Sequence, residues 1–245
     1  MDEFLTAAAR ARQDMGGRGI GTLGEKTLHL ALKYYFAPDP QTHEIPVGSY
    51  IADALTGDGI TEIQTRGLSR LKPKLNAFLP LYPVTIVHPV AEEKLLIRVD
   101  ENGEVLSQRK SPKHESVFTA MREIYTLRSY LREPRFRICV CGVRLNEYVL
   151  TKNGRKIGKL DRDPQALLHL WMLETPADFA ALLPKHLPDE FSVKTLAPLL
   201  HAPEDSVRYF LNLLGKLGAA EIVRREKSGN TWRRRDTSAD APFRQ

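Results

Sequence analysis

Two carboxylates, Asp53 and Glu62, stand among β-forming residues in the segment SYIADALTGDGITEIQTR, residues 49–66. Ser49-Tyr50-Ile51-Ala52-Asp53-Ala54-Leu55 and Ile60-Thr61-Glu62-Ile63-Gln64-Thr65 flank Thr56-Gly57-Asp58-Gly59, whose Asp-Gly pair is a strong hairpin signal. The two acids are therefore expected on neighbouring strands. Burying a carboxylate without a partner is costly, so two of them in a sheet ask for a cation, and hard oxygen ligands suit Mg2+ or Mn2+. Alternation along the second strand puts Glu62 and Gln64 on one face and turns Ile63 to the other. The plainer reading makes both acids solvent-facing residues of an ordinary hairpin.

The elements that must position this hairpin follow from local patterns. Residues 2–14 read as a short helix, and Gly16 to Gly21 as a Gly-rich connection that lacks the Gly-Lys-Ser/Thr of a phosphate-binding loop. Thr22 to Phe36 reads as a second helix, with Thr22 as N-cap and Glu25 in its first turn; His29, four residues on, either shares the Glu25 face or, the preferred reading, packs in the core. After the hairpin come a helix over Gly67 to Phe78 and a strand over Tyr82 to His88, the order of a right-handed crossover. His88 ends that strand, where it either lines the same cleft or is an ordinary structural histidine. A hairpin of Lys94–Val99 with Val105–Lys110, a helix over Glu115 to Leu131 and a strand over Phe136 to Leu150 complete the unit. Thr151 to Lys159 reads as a polar edge hairpin, and residue 160 as the domain boundary.

Beyond it, helical stretches are expected at Gln165–Glu174, Pro176–Leu183, Ser192–Leu200 and Pro203–Leu217, then strands at Ala220–Glu226 and Thr231–Asp236. Three or more helices followed by a basic hairpin is the winged-helix pattern, in which the helix before the wing enters the major groove. Ser206, Arg208 and Asn212 on that helix, and Arg224, Arg225, Lys227, Arg233, Arg234 and Arg235 in the wing, are the candidate nucleic-acid contacts. Trp232 either stacks on nucleic acid or packs the wing onto its domain.

Composition bounds the class. The 245 residues are 42% hydrophobic and 27% charged, enough for a good core in two moderate domains, and the net charge is +6. The C-terminal crowding of arginine is the part that points to a polyanion. No apolar run approaches the roughly 20 residues that span a bilayer, and the N-terminal stretch is unlike a secretory signal, so a cytoplasmic protein with no membrane partner is expected. Cys139 and Cys141, the only cysteines, alternate onto one strand face too close in sequence for a relaxed disulfide, and read as small core residues.

The N-terminal region, residues 20–150, resembles the PD-(D/E)xK, or restriction-endonuclease-like, nuclease superfamily. That family places an acid in an early helix, an aspartate on a strand and Glu-x-Lys on the next strand. Glu25, Asp53 and Glu62-Ile63-Gln64 match these places, with Gln64 in the lysine position and Ala52 where the family name has proline. The resemblance implies an α/β (α+β) core with a central mixed sheet flanked by helices over residues 1–160. A smaller winged-helix domain over 161–236 and a flexible tail over 237–245 complete the expected organisation.

It also implies metal-assisted phosphodiester hydrolysis, with Asp53, Glu62 and the Ile63 carbonyl holding Mg2+ or Mn2+, Glu25 completing the shell and Gln64 orienting water. Lys26, Lys72 or Arg66 are the candidates to replace the missing lysine. The expected function is thus a DNA endonuclease acting on duplex DNA, with a homodimer compatible with cutting both strands. A non-catalytic DNA-binding or regulatory protein on a nuclease-like scaffold, and a protein-interaction module, are the competing readings.

Overall fold

A seven-stranded mixed sheet carries the fold in the computed structural model, which describes residues 3–15, 27–227 and 229–235. Its strands are β1 (His43–Val47), β2 (Tyr50–Thr56), β3 (Gly59–Ile63), β4 (Val84–Val99), β5 (Val105–Lys110), β6 (Phe136–Lys152) and β7 (Arg155–Leu173). They run in the order β1-β2-β3-β4-β6-β7, with β5 paired to the outer part of β4. β3, β4 and β6 are mutually parallel, whereas the hairpins β2–β3 and β6–β7 are antiparallel. This is an α+β architecture built on a large mixed sheet flanked by helices, as expected.

Strand alternation divides the core in two. Ile63, Val87, Cys139, Cys141 and Val143 face the helices α1 (Glu3–Met15) and α2 (Thr27–Phe36) through Phe4, Leu28 and Leu32. Ile86, Ile138 and Val140 face the opposite layer, where α3 (Lys72–Phe78) and α4 (Met121–Tyr125) contribute Leu75, Phe78, Met121 and Ile124. Both cysteines are buried and free, with sulfurs 3.9 Å apart. The turn between β2 and β3 needs Gly59. Its φ is 111°, and a Cβ there would stand 2.3 Å from the Pro83 carbonyl oxygen.

The C-terminal part comprises α5 (Pro176–Ala181), β8 (Glu190–Ser192), α6 (Val193–Leu199), α7 (Glu204–Leu217), β9 (Ala220–Glu226) and β10 (Gly229–Arg234). Thr175 with Asp178, and Ser192 with Thr195, form reciprocal capping boxes that start α5 and α6, and Gly218 in the left-handed region ends α7. β8, β10 and β9 form a three-stranded antiparallel sheet. Phe210 of α7 meets Phe118 edge-on at 5.3 Å, and Tyr209 meets Tyr125, so this layer shares the core beneath α4.

The sheet overrides several local expectations. Gln165–Glu174 is not a helix: β7 continues through residue 160 to Leu173, because Val140, Cys139 and Ile138 of β6 pair with Trp171, Met172 and Leu173. Long-range pairing has outweighed the helical propensity of Leu167 to Leu173. Likewise Lys94–Val99 is no separate strand but the outer part of a continuous β4, whose bulge near Glu92 absorbs one residue against β6. Of the helix expected over Glu115–Leu131, only Met121–Tyr125 is regular α-helix. His43–Val47, just before the hairpin, is also a strand, paired with β2. Glu25, Thr22, Lys26, the Gly-rich connection and Thr237–Gln245 lie outside the described residues.

Candidate functional site

The two candidate acids sit where β2 and β3 part. The ladder between these strands runs from Thr56↔Gly59 to Ala54↔Thr61 and stops there. β2 continues only against β1, and β3 only against β4, through Ala52↔Ile45 and Glu62↔Ile86. One step past the last rung, side chains replace the backbone bonds. The Ile63 amide donates to Asp53 Oδ2 at 2.7 Å, and the Asp53 amide donates to Glu62 Oε1 at 3.1 Å. Each carboxylate thus satisfies the neighbouring strand's orphaned N–H and is held across the opening.

Two nitrogen-bearing side chains reach the same opening from opposite layers. Lys74 of α3 donates to Glu62 Oε2 at 2.8 Å. His29 Nε2 of α2 lies 3.2 Å from Asp53 Oδ2 and 3.0 Å from the Ile63 carbonyl oxygen. The helix that delivers Lys74 is itself anchored: the Glu123 carboxylate accepts the Leu68 amide at the preceding turn, and Tyr130 donates to Asn76. At the other layer the Asp161 carboxylate of β7 accepts the Thr27 amide and hydroxyl, fixing the first described turn of α2.

The electrostatics separate the two acids. Burial pushes Asp53 up, but the His29 bond and charge, the Ile63 amide and Lys74 outweigh it, and its carboxyl titrates below the ordinary aspartate value. Glu62 is only 2% exposed. Burial and the adjacent Asp53 charge push it above the ordinary glutamate value, against the opposing Lys74 and amide bonds. The pair therefore offers one firmly ionised carboxylate and one whose charge depends on its surroundings.

Sequence reasoning brought Asp53, Glu62 and Ile63 to one place, and the structure joins them there. It missed Lys74, and it assigned His29 to core packing. Arg66 and Lys72, expected as replacements for the absent lysine, make no hydrogen bond or ion pair with either acid; Lys72 and Lys74, two apart on a helix, do not share a face. Gln64 turns its side-chain amide to the Arg66 carbonyl at 2.6 Å, while its own carbonyl is bonded by His88 Nδ1 at 2.7 Å. His88 is buried, which depresses its pKa, and it clips β4 to the end of β3. No group of three or more His, Cys, Asp or Glu side chains with the makings of a metal cage is found among the described residues.

The C-terminal candidates divide as well. Exposed Arg208 is paired with Asp205 at 2.6 Å and shares one face of α7 with half-buried Asn212, whereas Ser206, also half-buried, lies two residues away on another face. Arg224 and Arg233 share Glu190, Arg224 also meets Glu226, and Arg235 meets Glu221. Arg234 donates to the Pro184 carbonyl. Arg225 and Lys227 are exposed without a carboxylate partner among the described residues. Trp232 is buried, its ring within 2.9 Å of where a Cβ on Gly215 of α7 would lie, so it packs the β9–β10 hairpin onto the helix.

No helix of the described residues is long and apolar enough to cross a membrane. No solved structure matches the chain. An uncharacterized protein of Treponema pallidum (strain Nichols) is 36% identical over 138 residues, which is 56% of this chain and 54% of that relative. The match thus spans about half the relative's length. His29, Asp53, Glu62 and Lys74 all fall inside residues 26–169, which match the family described as "Domain of unknown function (DUF8091)", and over this larger part of its length the chain belongs to that family.

Proposed function

We propose that the chain is a metal-dependent nuclease that hydrolyses phosphodiester bonds in DNA, on a restriction-endonuclease-like core with a C-terminal winged helix. The observation that carries this reading is the divergence of β2 and β3 at Asp53 and Glu62, with Lys74 bonded to the second acid. The hard oxygens that would hold a cation there are those of Asp53, Glu62 and the Ile63 carbonyl, once the ion displaces the His29 bonds to two of them and the Lys74 bond to Glu62. Mg2+ or Mn2+ there would polarise the phosphate and lower the pKa of an attacking water.

The chain's own groups have distinct roles. Asp53, kept ionised by its neighbours, would hold a cation's charge at the strand opening. Glu62, whose anion Lys74 stabilises, would be the second ligand. Lys74 then presents its ammonium to the phosphoryl oxygen on which charge develops, the part the family gives to the lysine of Glu-x-Lys. Gln64, bonded to the Arg66 carbonyl, must be released before it can orient water. Glu25 remains a candidate for the shell, in a segment outside the described residues. The order α6, α7 and the β9–β10 hairpin supports the winged-helix assignment, with exposed Arg208, Arg225 and Lys227 and half-buried Asn212 as the contacts to DNA.

A second reading is favoured by one observation: each acid already has a partner, Lys74 for Glu62 and His29 for Asp53. The chain would then be a non-catalytic DNA-binding protein whose polar cluster merely closes a split in the sheet. The deciding experiment incubates the purified chain with linear, supercoiled, branched and single-stranded DNA in Mg2+ or Mn2+, beside EDTA and the variants Asp53→Asn and Glu62→Gln. Cleavage lost in EDTA and in both variants is expected. Binding without cleavage on every substrate selects the second reading, and light scattering of the active species reads whether two sites are joined in a homodimer.

A further inference from the structure

Ten lysines and arginines face only five aspartates and glutamates within residues 94–110 and 144–162, an excess of five in a chain whose net charge is +6. These residues build one arm of the sheet: the outer part of β4, all of β5, the outer part of β6 and the adjoining part of β7. The register sorts their side chains. Leu96 pairs with both Glu147 and Arg109, Glu147 with Arg162, and Val149 with both Arg98 and Lys159. Paired residues share a face, and so do residues two apart on a strand. Lys94, Arg98, Arg109, Lys159 and Arg162 therefore lie on one face around a single acid, Glu147.

Glu147 is 3% exposed and serves three of those cations, accepting from Lys159 at 2.8 Å with Arg162 at 3.4 Å and Lys94 at 3.9 Å. One carboxylate thus orients three positive side chains and neutralises the charge of one. Arg98 and Arg109 are exposed and meet no carboxylate among the described residues. Every residue of β5 is exposed, so the arm is open along this edge. At the far tip, Asn153 and Gly154 adopt φ of 50° and 73°, a tight hairpin turn that presents Arg155 and Lys156, likewise exposed and unmatched among the described residues. Arg144 and Lys152 of the arm are paired with Glu93 and Glu101. In the C-terminal hairpin Arg224, Arg233 and Arg235 are likewise paired, with Glu190, Glu226 and Glu221, which leaves only the Arg225 and Lys227 side chains there exposed without a polar partner among the described residues, fewer than on the arm.

We propose that this arm is a docking surface for the phosphate backbone of double-stranded nucleic acid, and contributes more to holding it than the arginines of the C-terminal hairpin. The choice of a nucleic acid as the polyanion rests on the phosphodiester-cleaving function proposed above. An oriented excess of cations on an open sheet face releases counterions when it meets phosphates, and a two-stranded ribbon such as the β6–β7 tip has the width of a major groove.

The test is fluorescence anisotropy of a labelled linear DNA duplex with the full chain in EDTA, so that binding is read without cleavage, over a salt series. Two arm pairs are compared with the wild type: Arg98→Ala/Arg109→Ala on the face, and Arg155→Ala/Lys156→Ala at the exposed turn, where folding is not at stake. Arg225→Ala/Lys227→Ala probes the C-terminal hairpin. Each arm pair is expected to weaken binding at least about tenfold and to make the slope of log affinity against log salt shallower by about 2, with a smaller loss for the hairpin pair. Wild-type affinity in both arm pairs, a loss confined to the hairpin pair, or binding of the wild type to anionic phospholipid vesicles but not to duplex overturns the proposal. Cleavage of the same duplex by the wild type in Mg2+ is read separately. No cleavage while both arm pairs lose affinity removes the nuclease reading and leaves the arm; cleavage with unaltered affinity in both arm pairs removes the arm and leaves the nuclease.

Discussion

The Asp53 carboxylate accepts the Ile63 amide at 2.7 Å, a side chain standing where the next ladder bond between β2 and β3 would be. Ile63 is 3% exposed, so without Asp53 its N–H is buried with no acceptor. Asp53→Ala is therefore expected to destabilise the fold by about 1–3 kcal/mol, measured by urea unfolding in the absence of metal. A variant as stable as the wild type means that the two strands close their ladder without the acid.

Glu62 sets a pH dependence of the opposite sign to Asp53. Burial raises the Glu62 pKa in the folded chain, so the native state binds its proton more tightly than the unfolded chain does. The stability this provides is complete below the ordinary glutamate value and is lost as pH rises through the raised one. Asp53, depressed by His29 and its other neighbours, contributes stability above the ordinary aspartate value that is lost as pH falls through the native one. In unfolding curves taken from acid to neutral pH, Glu62→Gln should gain on the wild type as pH rises, and Asp53→Asn should lose. Parallel curves for all three proteins contradict the burial of Glu62.

Lys74→Ala removes the ammonium that bonds the buried Glu62 carboxylate. The expected cost is about 1–3 kcal/mol, and cleavage should fall far more than that stability loss explains. Lys74→Arg keeps the charge and should recover most of the stability. Recovery of stability without activity places Lys74 at the phosphate; full activity in Lys74→Ala removes it from the mechanism.

Phe210 is fully buried and meets Phe118 edge-on across the junction of α7 with the segment before α4. Phe210→Ala should lose about 3–5 kcal/mol and lower the melting temperature of the large sheet as well as of the C-terminal helices. Two separate melting transitions in the variant, one unchanged, show instead that the C-terminal layer unfolds independently of the sheet.

Much of this protein is legible along the chain because the signals are local. The Asp-Gly turn, the strand alternation around Asp53 and Glu62, and the helical stretches Pro176–Leu183, Ser192–Leu200 and Pro203–Leu217 each rest on patterns within a few residues, and an element appears at each place. The alternation of Cys139 and Cys141 likewise suffices to place both in one core face. What could not be read locally is pairing over distance. β7 is a strand to Leu173 because β6 offers an edge, and the segment's own helical preference is weaker than the bonds and burial gained there.

The site divides in the same way. Asp53, Glu62 and Ile63 come together through a hairpin, whose register follows from its two-residue turn. Lys74 and His29 reach them from helices on opposite layers, twelve and twenty-four residues away along the chain. The basic face of the arm also needs four strands in register before Arg98, Arg109, Lys159 and Arg162 become neighbours. Turn chemistry and hydrophobic period are properties of the chain, whereas the convergence of charges depends on which strands part, which pair and which helix packs on which face.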